Sequence, residues 1–173
     1  MQADREAIVE QLWESCHRQV LAYALRRTDA ASAHDVVAET FLAVWRRSGQ
    51  IPDPPLPWLL GIARRVLANR RRGDARRAAV AQRIVEQAQP QTPTGLDPDR
   101  PLLRALAALS DNDREALLLV AWDGLTSSEA AEVLGCSRAT FDVRGHRARR
   151  RLTRELARSV PDVPITQLQA RRT

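Results

Sequence analysis

The sequence predicts an all-α protein built as two small helical domains joined by a flexible linker, the second domain ending in a helix-turn-helix. Apolar residues recur every three or four positions along most of the chain, the period of an amphipathic helix, and no alternating strand pattern competes. Residues 89–99 break that period with Pro, Gln and Thr and offer almost nothing to bury, as a linker does. Near the C-terminus, a short capped apolar segment, a glycine and a basic segment follow one another directly.

The elements follow in order. Ile8, Leu12, Cys16 and Val20 recur every four residues, with Val9, Trp13 and Leu21 beside them, and predict a helix over about 4–27. Val37, Phe41, Val44 and Trp45 mark a second over about 33–47. Residues 48–57 carry four prolines, which forbid a regular helix. Trp58, Leu59, Ile62, Val66 and Leu67 mark a third helix over about 57–72, and the three share one predicted core. A weakly apolar helix over about 74–88 precedes the linker. Leu102, Leu103, Leu106 and Leu109 restart the pattern, and Ser110 caps a helix carrying Leu117, Leu118, Val120 and Ala121. Thr126 and Glu129 have the spacing of a capping box. The short helix they begin stops at Gly135. Ser137 caps a final helix over about 138–158, and the tail 159–173 is read as mobile.

Composition narrows the function classes. With 173 residues and 44% apolar content, the chain fits one ordinary domain or two small ones and is too apolar to be wholly disordered. There is no apolar run long enough for a membrane helix and no basic-then-apolar leader, so a cytoplasmic protein without membrane contact is expected. Cys16 and Cys136 lie too far apart in sequence to suggest a disulfide framework or a zinc site. The sequence shows no glycine-rich phosphate loop and no nucleophile–base pair, so no enzyme, metal or cofactor is expected. Asp111, Asp113 and Glu115 read as acids favoured by the start of a helix.

The charge is more specific. All 27 basic residues are arginine, and the net charge is +6. Residues 64–77 hold seven arginines against Asp74, and residues 137–158 hold eight against Asp142 and Glu155, whereas residues 1–63 are slightly acidic. Two concentrated basic stretches predict two separate contacts with nucleic acid. The second belongs to a helix-turn-helix, whose first helix braces a reader helix in the major groove. The first follows Trp58, and a basic helix beside an aromatic suits single-stranded DNA, although a tryptophan there more often belongs to a core.

Three segments, in order, resemble the sigma-70 family of bacterial transcription initiation factors, and most closely its small two-domain extracytoplasmic-function (ECF) group. They are Asp35-Val36-Val37-Ala38-Glu39-Thr40-Phe41-Leu42-Ala43-Val44-Trp45; the run from Trp58 to Arg72; and the stretch from Leu109-Ser110-Asp111-Asn112-Asp113-Arg114-Glu115 to Leu152. The resemblance covers about residues 5–158. It implies a domain over 1–88 that binds core RNA polymerase and recognises and melts the −10 element, a linker over 89–100, and a domain over 101–158 that reads the −35 element. Asp35, Glu39 and Thr40 are implied to meet the polymerase, whose β′ clamp helices and β subunit are the implied contacts. Trp58, Arg64, Arg65, Asn69 and Arg72 are implied to contact melted −10 DNA, with loop 48–57 holding a flipped base. Arg138, Thr140, Asp142, Val143, Arg144, His146 and Arg147 are implied to contact the −35 duplex. The linker is implied to thread the polymerase cleft, and an anti-sigma protein is a further partner common in the group.

The chain departs from the family pattern at several places. Ala38 stands where Gln is frequent, Arg65 where Asn is, Asn69 where Asp is, Asp142 where a basic residue is, and Gly145 where Leu is. Two other readings of the residues stay open at this point. One is a stand-alone helix-turn-helix regulator that binds duplex DNA as a dimer, with 1–72 as a sensor or dimerisation domain. The other makes the N-terminal half only a partner-binding module. The basic stretch 64–77 bears on the first, since a sensor domain needs no second DNA-binding helix.

Overall fold

A computed structural model describes residues 2–47, 51–82 and 101–159, with side chains for 6–47, 51–76 and 101–158. It contains α1 (Gln2–Leu25), α2 (Ala30–Arg46), α3 (Pro55–Gln82), α4 (Pro101–Ala107), α5 (Asp111–Ala121), α6 (Ser127–Leu134) and α7 (Arg138–Ser159), with no strand among the described residues. The expected linker 89–100 and the tail beyond residue 159 lie outside them.

Local chemistry sets most boundaries. Asp29 ends the α1–α2 turn and caps α2, its carboxylate accepting from Ser32 N at 3.0 Å. Ser110 caps α5, with its hydroxyl 3.3 Å from Asp113 N. One expected boundary is absent. The helices read over 57–72 and 74–88 are a single helix, α3, which runs through Gly73 to Gln82. A glycine inside a helix costs only about 1 kcal/mol, and its neighbours Arg70, Arg71, Arg72, Ala75 and Arg76 are good helix formers.

The first three helices pack as one bundle. α1 contributes Leu12, Cys16, Val20, Tyr23 and Ala24, α2 contributes Val36, Val37, Phe41 and Val44, and α3 contributes Leu59, Leu60, Ile62, Ala63 and Leu67. The same buried cluster continues into the second half through Ala116, Leu119, Leu125, Ala130, Ala131, Val133, Leu134 and Phe141. A smaller cluster of Leu106, Leu109, Leu117 and Ala148 ties α4 and α5 to α7. α3 and α6 cross at Gly61, where a Cβ would stand 3.9 Å from Val133 Cα, an ordinary van der Waals contact.

Polar groups hold the other side of this contact. The Tyr23 hydroxyl donates to Glu115 Oε1 at 2.7 Å, and Arg27 Nε donates to Glu115 Oε2 at 2.8 Å. Arg27 Nη2 reaches Asp123 Oδ2 at 3.0 Å, while Arg26 binds the other oxygen of Asp123. The Arg27 guanidinium lies 3.6 Å from the Tyr23 ring centroid, and its side chain is 5% exposed. Such a group is strongly coupled, because deleting one partner leaves another buried charge uncompensated. Glu115 is thus an inter-half ligand rather than merely a helix-start acid.

Burial, and next the nearby Glu115 carboxylate, push the Tyr23 hydroxyl far above its ordinary range. The folded state therefore favours the protonated phenol. Its contribution to stability is intact below the unfolded value of about 10 and is lost as pH rises beyond it. Tyr23 is the chain's only tyrosine, so its ultraviolet absorbance reports this group directly. Alkaline titration should show tyrosinate forming together with loss of helical circular dichroism, not before it. Tyr23→Phe should shift the alkaline unfolding midpoint.

Candidate nucleic-acid interface

The helix-turn-helix is built from α6, a tight turn and α7. At its start the capping box closes both ways: Thr126 N donates to Glu129 Oε2 at 2.8 Å, and Glu129 N donates to Thr126 Oγ1 at 3.3 Å. The Thr126 hydroxyl and then its N–H hold the Glu129 carboxyl below the usual carboxylate range. At its end Gly135 takes φ 65° and ψ 38°, a left-handed conformation that glycine adopts without a steric penalty. Gly135 N and Cys136 N then donate to Glu132 O and Ala131 O, both at 3.0 Å. Ser137 restarts the chain as a cap, its Oγ accepting from Thr140 N at 3.2 Å.

Buried Phe141 and Ala148 fix the inner face of α7. The outer face presents Arg138, Thr140, Asp142, Val143, His146 and Arg147 to solvent, with Arg144 half-buried. The structure therefore brings all seven residues expected at the duplex onto one helix. Val143 is 52% exposed and so stands outside the core. Asp142 lies 3.7 Å from Arg138 Nε, an ion pair too long for a hydrogen bond, so its carboxylate keeps acceptor capacity. Ala139, Thr140, Val143, Arg144, Arg147, Arg151 and Asp113 line a groove of about 470 Å³ between α5 and α7. Asp113, nearly buried on α5, holds Arg151 Nη1 at 2.6 Å.

The second basic face lies on α3. Arg65, Asn69 and Arg72 are exposed and follow one another at helical spacing, with an Arg72 Nη2 hydrogen bond to Asn69 Oδ1. Arg64 is half-buried. Trp58 packs partly against the core, and the Arg47 guanidinium stands 5.7 Å from its ring, so the indole is wedged between core and cation. Gly61, where α6 crosses, is one turn before Arg65 on the same side of α3. Of loop 48–57, residues 48–50 lie outside the described residues.

The exposed side of α2 presents Asp35, Ala38, Glu39 and Leu42 in a row. Thr40 does not join it. It is fully buried, its hydroxyl donating to Val36 O at 2.6 Å, because positions 36, 37, 40, 41 and 44 form the core stripe. Its expected contact with a partner is therefore corrected to a core role. Arg70, counted in the sequence only as part of the basic stretch, instead leaves α3 towards α2. Its Nε and Nη2 donate to Glu39 Oε1 at 3.0 and 2.6 Å, and its Nη1 to Asp35 Oδ2 at 3.1 Å. Tyr23, Arg27, Glu115 and Asp123 are likewise functional in holding the two faces together. Their one signal in the sequence is a Tyr and an Arg on the flank of an apolar stripe.

The fold presents a helix-turn-helix and a second, separate arginine-bearing helix face, and comparison with known proteins shows the class. The Sigma-70 region 2 family matches residues 12–77, and the Sigma-70 region 4 family matches residues 99–152. The ECF RNA polymerase sigma factor SigL of Mycobacterium tuberculosis is 33% identical over 163 residues, covering 87% of this chain and 89% of its own length. The probable RNA polymerase sigma factor RfaY of Xanthomonas campestris pv. campestris is 33% identical over 154 residues, and this chain spans 38% of that longer protein. Among solved structures, the sigma factor RpoE in complex with the anti-sigma factor NepR, from Bartonella quintana, superposes with a TM-score of 0.65 at 25% identity, covering 86% of this chain and 96% of that one. CnrH, in complex with the cytosolic domain of CnrY, shares the fold, with a TM-score of 0.57 over 92% of each chain. The chain belongs to the sigma-70 family of RNA polymerase sigma factors, within its ECF group. Sigma factors are non-catalytic initiation factors, and no helix among the described residues is long and apolar enough to cross a membrane.

The chemistry of the α7 face separates two kinds of residue. A carboxylate repels phosphate but accepts a hydrogen bond from a cytosine amino group, whereas Arg144 suits the backbone. Asp142→Arg should change which −35 sequence is preferred, by about 1–3 kcal/mol at one base pair. Arg144→Ala should weaken all sequences alike and lower the salt slope by roughly one unit. Run-off transcription over a randomised −35 library, repeated across salt, reads both.

Proposed function

We propose that this chain binds core RNA polymerase through the outer face of α2, places α7 in the major groove of the −35 duplex and receives the melted −10 strand along α3. It thereby confers promoter dependence on polymerase and helps to open the DNA. The observation that carries this reading is the pair of exposed arginine faces, one on a helix-turn-helix and one on a separate helix, in a sigma-70 chain. Asp35 and Glu39 are the proposed polymerase contacts. Trp58, Arg64, Arg65, Asn69 and Arg72 are assigned to the −10 strand. Arg138, Thr140, Asp142, Val143, Arg144, His146 and Arg147 are assigned to the −35 duplex. The chain supplies no chemistry of its own, which belongs to the polymerase subunits. It acts in the cytoplasm, where polymerase and promoter are. An anti-sigma protein is a proposed partner, since RpoE and CnrH are each held by another protein in the solved complexes.

The promoter geometry adds a requirement. Elements centred near −10 and −35 lie about 25 base pairs apart, or about 85 Å at roughly 3.4 Å per pair. α7 is 22 residues long, about 33 Å. With α6 packed on α3, the two readers cannot occupy both elements, so the halves separate on the promoter. Residues 89–100 can then stretch to about 43 Å at most, and the reach of the two domains covers the rest. In this proposal 1–88 and 101–158 are the units that part, with 89–100 as the tether between them.

A tether raises the effective concentration of the second contact once the first is made. The intact chain should make core polymerase initiate from a linear promoter carrying both elements. A chain cut within 89–96 should lose that initiation while both halves keep their helical circular dichroism. Equal initiation by the cut chain would remove the tether from the mechanism, and no initiation by the intact chain would remove the proposed function.

A further inference from the structure

Asp35 and Glu39 stand one turn apart on α2, and like charges at that spacing repel. Arg70 answers both with one planar fork, two donors to Glu39 Oε1 and one to Asp35 Oδ2. One oxygen of each carboxylate is used in this way, and a carboxylate accepts several donors. The acids stay open to solvent, with side chains 63% and 47% exposed. Exposed ion pairs add little to stability, and α2 is already fastened to α3 through Val36, Val37, Phe41 and Val44. Holding the fold together is therefore a poor explanation for the fork. DNA contact is another poor one. At about 100° per residue, position 70 lies a quarter turn or more round α3 from positions 65, 69 and 72.

We propose that Arg70 is a positioning residue for polymerase binding. It fixes the Asp35 and Glu39 carboxylates as one pre-ordered acceptor pair, aimed at arginine or lysine side chains of the partner beside exposed Ala38 and Leu42. This rests on the proposed function, in which the outer face of α2 meets core polymerase. Ordering two flexible acids before contact removes an entropic cost that association would otherwise carry. Arg70 also places a positive charge next to the same acids, which opposes a cationic partner. The two effects have opposite signs, so the variants decide between them.

The test uses the full chain, core polymerase and a promoter carrying both elements. Arg70→Lys keeps the charge and loses the planar fork, and Arg70→Met keeps much of the stem and loses the charge. Both should raise the concentration of chain that half-saturates initiation, Arg70→Met by about tenfold, equivalent to about 1.4 kcal/mol, and Arg70→Lys by less. The initiation rate at saturation and the −10 sequence preference should not change, a split that a DNA contact does not produce, and helical circular dichroism equal to that of the parent chain excludes a smaller folded fraction as its cause. In an Asp35→Asn, Glu39→Gln background, Arg70→Met should have no further effect. Tighter binding by Arg70→Met would show that Arg70 only masks the acids. Unchanged half-saturation in both variants, with the parent chain active, would overturn the inference. An inactive parent chain would instead overturn the functional reading on which it rests.

Discussion

The placement of the second half of the chain against the first bundle turns on the Arg27 guanidinium. It leaves the end of α1, lies over the Tyr23 ring and meets Glu115 and Asp123 from the second half of the chain. A nearly buried arginine with two carboxylates is stable only when both are present and well placed. That fixes α5 and the turn after it against the first bundle. α6 then falls on α3 at Gly61, and α7 is carried outward with its basic face exposed. Apolar burial supplies the rest, since Leu119, Leu125, Val133 and Phe141 join the same cluster as Val20 and Leu60.

The arginines divide by what answers them. Arg26, Arg27, Arg70 and Arg151 reach across to carboxylates of other helices or turns and so set geometry. Arg65 and Arg147 remain on exposed faces, and the proposed function uses their charge to attract phosphate. Counting basic residues along the chain treats the two groups alike. The useful distinction is whether a carboxylate lies within reach once the helices have packed, and that is a property of the fold.

Much of this fold was legible in the sequence because its signals are local. The capping box at Thr126 and Glu129, the left-handed stop at Gly135 and the caps at Ser110 and Ser137 each depend on residues within a few positions. The apolar stripes of α1 and α2 are similarly self-evident, as is the outer face of α7. The break read at Gly73 was wrong because one glycine is too weak to end a helix rich in arginine and alanine. Thr40 was misplaced because a family motif gives residue types, whereas burial depends on the phase of the helix. The contact between Tyr23, Arg27, Glu115 and Asp123 joins residues about ninety positions apart, and no local pattern announces it. Arg70 was hidden for the same reason, since its partners lie on another helix.

In the proposed function the same chain is closed when alone and open on a promoter. The direct measurement is the distance between spin labels at Ala75→Cys and Ala157→Cys, exposed positions near the ends of α3 and α7, with Cys16 and Cys136 replaced by serine. Pulsed electron paramagnetic resonance should give one narrow distance in the free chain, changing by tens of ångströms in the complex of polymerase with promoter DNA. An unchanged distance would contradict separation of the two halves on the promoter, and a broad distribution in the free chain would contradict the closed packing.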